Sequence, residues 1–158
     1  MALQTPAQKE GVVFTEDALN EIIRVTEGYP YFLQEWGYQA WNLAKHSPID
    51  IEVVRKATTT AIKRLDQSFF RVRFDRLTPR EKIYLRALAE LGDQPQRSGN
   101  IADQLGIQVQ NAAPLRNNLI KKGMIYSPKH GDTAFTVPLF AEFMKRTMPE
   151  LNNKVQAK

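Results

Sequence analysis

The sequence predicts a mainly α protein in two parts: a three-helix unit over residues 12–76, then a unit over 77–149 in which three helices precede a short β-hairpin and a last helix. Three observations lead there. Apolar residues recur at helical spacing through most of the chain, and the periodicity turns to alternation only after Gly123. Thr78-Pro79-Arg80-Glu81 combines a helix N-cap, proline at the first helical position and a glutamate placed to reach back, which marks the sharpest boundary at Arg76/Leu77.

The first helix is announced by Thr15 as N-cap, by Glu16 and Asp17 in the positively polarised first turn, and by Phe14, placed to staple onto Leu19. Leu19, Ile22, Ile23 and Thr26 give it one buried face, and Gly28 ends it. Pro30 opens a second helix with Leu33, Trp36, Gly37, Ala40 and Ala44 on the inner face and Trp41 beside it; Gly37 suggests another helix crossing closely. Ser47-Pro48-Ile49-Asp50 is a break and a new cap. From there Val54, Ala57, Thr58, Ala61, Leu65, Phe69 and Val72 predict one long third helix, preferred over a strand reading of Phe70–Phe74 because no turn or pairing partner lies near.

After the Thr78 cap, Tyr84, Ala87, Leu88 and Leu91 form an inner face that stops at Gly92, and Asp93–Arg97 reads as a surface loop. Ser98 is placed to cap a short helix bearing Ile101, Ala102 and Leu105, and Gly106 turns the chain into a segment over Val109–Lys122. Pro114, inside that segment, predicts a kink or a start delayed to about Ala113. Met124–Ser127 and Thr133–Val137 alternate around a turn at Pro128–Asp132, which is a hairpin. Pro138 opens a last helix with Leu139, Phe140, Phe143 and Met144 inside, and Pro149 closes it. A flexible segment is expected over 1–11 and a frayed tail over 150–158.

The 158 residues are 42% apolar and 25% charged, enough to bury a core and inconsistent with disorder or a fibrous architecture. With no cysteine, thiolate zinc sites, thiol nucleophiles and iron–sulfur ligation are excluded. The start lacks a signal-peptide pattern, and no run approaches the roughly 18 apolar residues of a spanning helix, so a cytoplasmic protein with no membrane partner is expected. Residues 1–76 balance 10 Lys+Arg against 10 Asp+Glu; residues 77–158 hold 12 against 7 and therefore all of the net +5. That asymmetry points to an anionic partner for the second part, nucleic acid first.

The order of elements in the second part, with Ile101-Ala102-Asp103-Gln104-Leu105-Gly106-Ile107 and Leu119-Ile120-Lys121-Lys122-Gly123-Met124-Ile125, resembles a winged helix-turn-helix domain over Leu77–Val137. In that setting Leu119 and Ile120 face the core and Gly123 supplies a left-handed turn. The resemblance implies that Gln110, Asn111, Arg116, Asn117, Lys121 and Lys122 on the third helix meet base edges or phosphates, and that Lys129 and His130 at the wing tip touch the adjacent backbone. Arg116 and Lys121 are expected to point away from a Leu115/Leu119 core face.

In the first part, Phe14-Thr15-Glu16-Asp17-Ala18-Leu19 followed by Val25-Thr26-Glu27-Gly28-Tyr29-Pro30-Tyr31-Phe32-Leu33-Gln34 resembles the helical lid of AAA-type P-loop ATPases, nearest the branch related to archaeal replication initiators and STAND signalling ATPases. In that family a winged helix follows the lid, as here. The resemblance implies adenine contact through Gly28, Tyr29 and Pro30. Tyr29, Tyr31 and Phe32 stand where initiators of that family carry a sensor arginine.

None of the 8 glycines is followed by lysine, so no phosphate-binding loop exists and the chain is not expected to hydrolyse ATP. A cofactor is not expected on the chain itself; ATP and magnesium are implied only for a full-length ATPase, whose core domain, in the same or another chain, is an expected partner beside DNA. His46 and His130 are the only histidines and stand far apart, which offers neither a metal site nor a catalytic triad. The Trp36, Tyr38 and Trp41 group reads as core packing rather than a stacking surface. Three function classes remain: the DNA-contacting part of an ATPase, a regulatory or protein-interaction lid of the same ATPase, and a stand-alone transcription regulator.

Overall fold

The computed structural model describes residues 3 and 10–151. Most of the two end segments expected to be loose therefore lies outside the described residues. The chain is mainly helical with a small antiparallel sheet, and it divides into two compact units, residues 1–69 and 70–158. The division falls earlier than the capping box suggested, for an aromatic reason. The rings of Phe70 and Phe74 pack on Phe140 and Phe143 of the second unit at 5.2–5.7 Å, while Phe69 stacks on Tyr31 of the first at 4.7 Å. With the boundary there, residues 70–158 hold 15 Lys+Arg against 8 Asp+Glu, and residues 1–69 hold 7 against 9.

The first unit consists of α1 (Glu16–Thr26), α2 (Pro30–Leu43) and α3 (Ile51–Gln67), with α1 and α2 both packed on α3. Thr15 Oγ1 accepts from the Ala18 amide and Asp50 Oδ1 from that of Val53, so the two expected caps are present. A parallel bridge between Phe14 and Ile49 ties the approaches to α1 and α3, through Thr15 N–H to Ile49 O at 3.0 Å and Ile49 N–H to Val13 O at 2.7 Å. α1 ends at Thr26, with Glu27 and Gly28 both at positive φ.

The buried stripe of α2 is Phe32, Trp36, Gln39 and Ala40; Trp36 and Ala40 are as expected, but Leu33, Gly37 and Ala44 are only half-buried. Trp36 is fully buried and its indole N–H donates to Thr58 Oγ1 at 2.9 Å, but Tyr38 and Trp41 are exposed, so core packing holds for one of the three. Ile23 is exposed as well. At Gly37 a Cβ would lie 2.5 Å from Leu3 Cδ2, so the close neighbour is a side chain of the N-terminal segment and not a crossing helix.

The single long third helix is not observed. α3 stops at Gln67, and Ser68 (φ −128°, ψ −81°) leaves the helix with its hydroxyl bonded to the Arg64 carbonyl, a local bond that competes with helix propagation. A separate α4 (Phe69–Asp75) follows, on which Phe70 and Phe74 are buried and Val72 is exposed.

In the second unit α5 (Pro79–Glu90) is central, with α6 (Ser98–Leu105), α7 (Val109–Lys121) and α8 (Phe140–Thr147) packed around it. Its burial runs through Tyr84, Leu85, Arg86, Ala87, Leu88 and Ala89, wider than the one face expected. The capping box is complete: Thr78 Oγ1 accepts from Glu81 N–H at 3.2 Å and Glu81 Oε2 from Thr78 N–H at 2.9 Å.

The sheet has three strands, β1 (Gln96–Arg97), β2 (Ile125–Tyr126) and β3 (Asp132–Phe135), in the order β1-β3-β2, all antiparallel. Gln96 pairs with Thr133 and Ile125 with Phe135. β1 corrects the expectation of a surface loop; two residues are too few to show any alternation. Ser98 is the first residue of α6 rather than its cap: Arg97 takes the cap position, and the Ser98 amide, which has no partner within the helix, donates to Gly131 O at 2.8 Å. Pro138 likewise does not open α8; the chain first passes through Leu139 at φ +66°, and Thr147 ends the helix before Pro149.

Candidate nucleic-acid interface

Two glycines set α7 in place. At the end of α6, Gly106 (φ +67°) is left-handed and Ile107 N–H reaches back to Ala102 O at 3.1 Å. At the end of α7, Gly123 (φ +73°) is left-handed, its amide bonding Ile120 O and that of Met124 bonding Leu119 O, both at 3.0 Å. Both are six-to-one closures that give the last carbonyls partners and turn the chain within two residues. Gly123 thus supplies the left-handed turn expected of it.

α7 begins at Val109 and runs through Pro114, correcting the expected delay to Ala113. Pro114 has no N–H for the Gln110 carbonyl, a loss tolerated because the ring lies on the exposed side, where water reaches that carbonyl. Ala112, Leu115 and Leu119 are buried. Gln110, Pro114, Asn117 and Lys121, spaced i, i+4, i+7 and i+11, form an exposed stripe on the opposite side, with Asn111 exposed at its flank.

Arg116 departs from expectation. One position past Leu115 it lies at the edge of the core face; its Nε donates to Thr133 Oγ1 at 2.7 Å and its Nη2 to Asp132 O at 2.9 Å, both on β3. Thr133 is fully buried, and its hydroxyl also bonds that of Ser98 at 3.3 Å. Burial raises the Tyr84 phenol above its ordinary value, against the lowering effects of Thr133 and the Arg116 charge. Lys122 is also held internally: its ammonium donates to Glu81 Oε2 at 2.7 Å and to Arg76 O at 3.0 Å. Lys129 and His130 are exposed at the tip of the β2–β3 turn, which Ser127 braces through its hydroxyl bonds to the carbonyls of Lys129 and Asp132.

Seven of the eight expected contact residues therefore stand exposed and Arg116 is half-buried, but Arg116 and the exposed Lys122 both brace the unit. Nothing in the sequence marks Thr133, or Arg97, which is exposed and pairs with Asp132 at 3.3 Å, or Arg86. Arg86 is buried and donates to the carbonyls of Met148 and Pro149, holding the end of α8. Only partner geometry distinguishes these residues from surface charge.

In the first unit Gly28 (φ +73°) is exposed, with open space where a Cβ would be, and Tyr29 is the N-cap residue of α2. The Tyr29 ring is half-buried, 4.8 Å from Phe32 and 6.3 Å from Phe69, and Pro30 is exposed. Among the described residues no three His, Asp or Glu groups gather as metal ligands, and no helix is long and apolar enough to cross a membrane.

A family model described as Domain of unknown function (DUF8462) matches residues 67–144. The match runs from the end of α3 into α8, and so covers the capping box, all three strands and α7. No curated protein matches the chain.

Proposed function

We propose that the second unit is a winged helix-turn-helix, with α6 and α7 as its helix-turn-helix and the β2–β3 turn as its wing, and that it binds duplex DNA through phosphate contacts with low sequence specificity. One observation carries this reading: the outward stripe of α7, Gln110, Asn117 and Lys121, is polar and lies opposite a buried apolar stripe, in the same unit as a turn bearing Lys129 and His130. Amide side chains and ammonium groups are what base edges and phosphates accept, and the unit's excess of cations adds long-range attraction.

The whole chain is read as the C-terminal lid and winged-helix region of a AAA-type ATPase, with Gly28, Tyr29 and Pro30 as the adenine-facing element. The left-handed, uncrowded backbone at Gly28 and the half-buried ring of Tyr29 support that reading, since they leave a ring face and open backbone beside it. Pro114 and the exposed Val109 favour a second reading, a protein-interaction module without DNA binding, because both leave apolar surface exposed on α7.

Titration of the purified chain into a labelled duplex of arbitrary sequence at low salt separates the two. Binding that weakens with salt and is lost when Lys121 and Lys129 are reversed to Glu supports the first reading. No binding at any salt concentration overturns it.

A further inference from the structure

Beside the N-terminal half of α7, within the second unit, lies a cavity of about 280 Å³. Val109, Ala112 and Ala113 give it an apolar wall, and Tyr84, Ser98, Arg116 and His130 bring polar groups to it. Its volume sits near the lower end for small-molecule sites.

Proton counting at Thr133 shows what those groups have left to offer. The Thr133 hydroxyl has two lone pairs and one proton. Arg116 Nε, which can only donate, occupies one lone pair at 2.7 Å. Ser98 meets the remaining lone pair or the proton of Thr133 at 3.3 Å. Where Thr133 is the donor of that pair, the Ser98 hydroxyl keeps its own proton for a guest.

Arg116 adds to this. Its Nε and Nη2 are committed to β3, which leaves Nη1 as the guanidinium nitrogen not bonded to the fold. With the Nε/Nη2 edge used, the end-on Nη1/Nη2 edge is what remains for a guest. That edge, a hydroxyl and the His130 imidazole, set around one cavity, suit a tetrahedral anion that accepts from several directions.

We propose that this cavity is a phosphate site, taking a phosphate group with any short apolar body against the alanine and valine wall. The phosphate belongs either to a small free ester or to a duplex backbone; only the backbone source rests on the nucleic-acid reading above. A filled site bridges α7 and the β2–β3 turn, so occupancy fixes the helix against the wing.

Backbone amides of the isotope-labelled chain are followed by NMR during titration with inorganic phosphate, at ionic strength held constant with sodium chloride. The expected result is saturable shifts at Ser98, Ala113, Arg116 and Gly131. Ala113→Leu, which narrows the cavity from an exposed helix position without touching Thr133, and His130→Ala on the turn should each raise the apparent dissociation constant, the first by at least about tenfold. A short duplex that shifts the same amides and is displaced by phosphate identifies the backbone as the source; phosphate shifts that a duplex neither reproduces nor competes with identify a free ester. Shifts that fail to saturate, that chloride reproduces, or that both folded variants retain at wild-type strength overturn the site. Duplex binding without any phosphate site would overturn this proposal and leave the nucleic-acid reading standing.

Discussion

The Lys122 ammonium lies 2.7 Å from the Glu81 carboxylate, a side chain only 3% exposed that also closes the capping box of α5 through Thr78 N–H. One carboxylate thus joins the C-terminal end of α7 to the N-terminal end of α5. Burial alone would raise the Glu81 pKa, but the bonds from Lys122 and Thr78 outweigh it and hold the group below its ordinary value. A carboxyl depressed in the folded state contributes stability that is present above its unfolded value, near 4.5, and is lost as pH falls through the folded value. Lys122→Met should cost about 1–3 kcal/mol at neutral pH, towards the lower figure because water reaches the ammonium, and should flatten the acid limb of stability below 4.5. Denaturant midpoints of both proteins at neutral and acid pH test this; parallel pH profiles would sink it. Thr78→Ala should cost about 1 kcal/mol by the same measurement, as a lost N-cap.

The Glu81 contact also shows where the sequence could be read and where it could not. Thr78, Pro79 and Glu81 are local, since each bond of the capping box spans three residues, and so the box was legible. Lys122 meets Glu81 across 41 residues, and nothing in either neighbourhood marks the pairing. The same distinction separates Gly106 and Gly123, whose turns follow from their own backbones, from Arg116, whose partners on β3 make it a brace of the unit. β1 and the break at Ser68 were missed for a related reason. A two-residue strand has no period, and a serine that ends a helix by bonding its own i−4 carbonyl is indistinguishable in sequence from one exposed within it.

Gly123 and Gly99 make a paired test of backbone conformation. A Cβ at either position would have no neighbouring atom within 4 Å, so crowding contributes to neither substitution. Gly123 is left-handed at φ +73° whereas Gly99 lies within α6. Gly123→Ala should destabilise by about 1–2 kcal/mol, and Gly99→Ala should stabilise by about 0.4–1 kcal/mol. Thermal unfolding measures both, and the same sign for the two would refute the argument.

Arg116→Glu removes two bonds to β3 and sets a carboxylate against the Asp132 carbonyl. A loss of about 1.5–3 kcal/mol is expected, as for hydrogen bonds to a charged donor. Lysine cannot hold both acceptors in one plane, so Arg116→Lys should recover only part of it. Hydrogen exchange at β3 should quicken in both variants while α1 to α3 remain unchanged. Unaltered exchange at Thr133 would show that the guanidinium is not a brace.

ATP turnover is expected to stay at the level of buffer, because a glycine loop with a following lysine is what positions the phosphates for attack, and no glycine here is followed by lysine. Hydrolysis by chain purified through several independent steps, at constant activity per mole, would contradict this.

The nucleic-acid reading has its sharpest test in comparing exposed cations with bracing ones. Lys121 on the outward stripe of α7 and Lys129 at the turn are exposed and make no ion pair among the described residues, so reversing them leaves the Thr133 and Glu81 contacts intact. If each meets one phosphate, log affinity should fall against log salt with a slope of about −2. The double variant Lys121→Glu, Lys129→Glu should then lose low-salt duplex binding while unfolding at the wild-type midpoint, because both charge reversals lie on the exposed face and neither touches the core. Arg116→Glu should lose stability as well as binding, whereas the double variant loses binding alone. Fluorescence anisotropy across a salt series and a denaturant curve for each variant give both quantities. Wild-type affinity in the double variant would transfer the outward face of α7, with Pro114 at its centre, from nucleic acid to a protein partner.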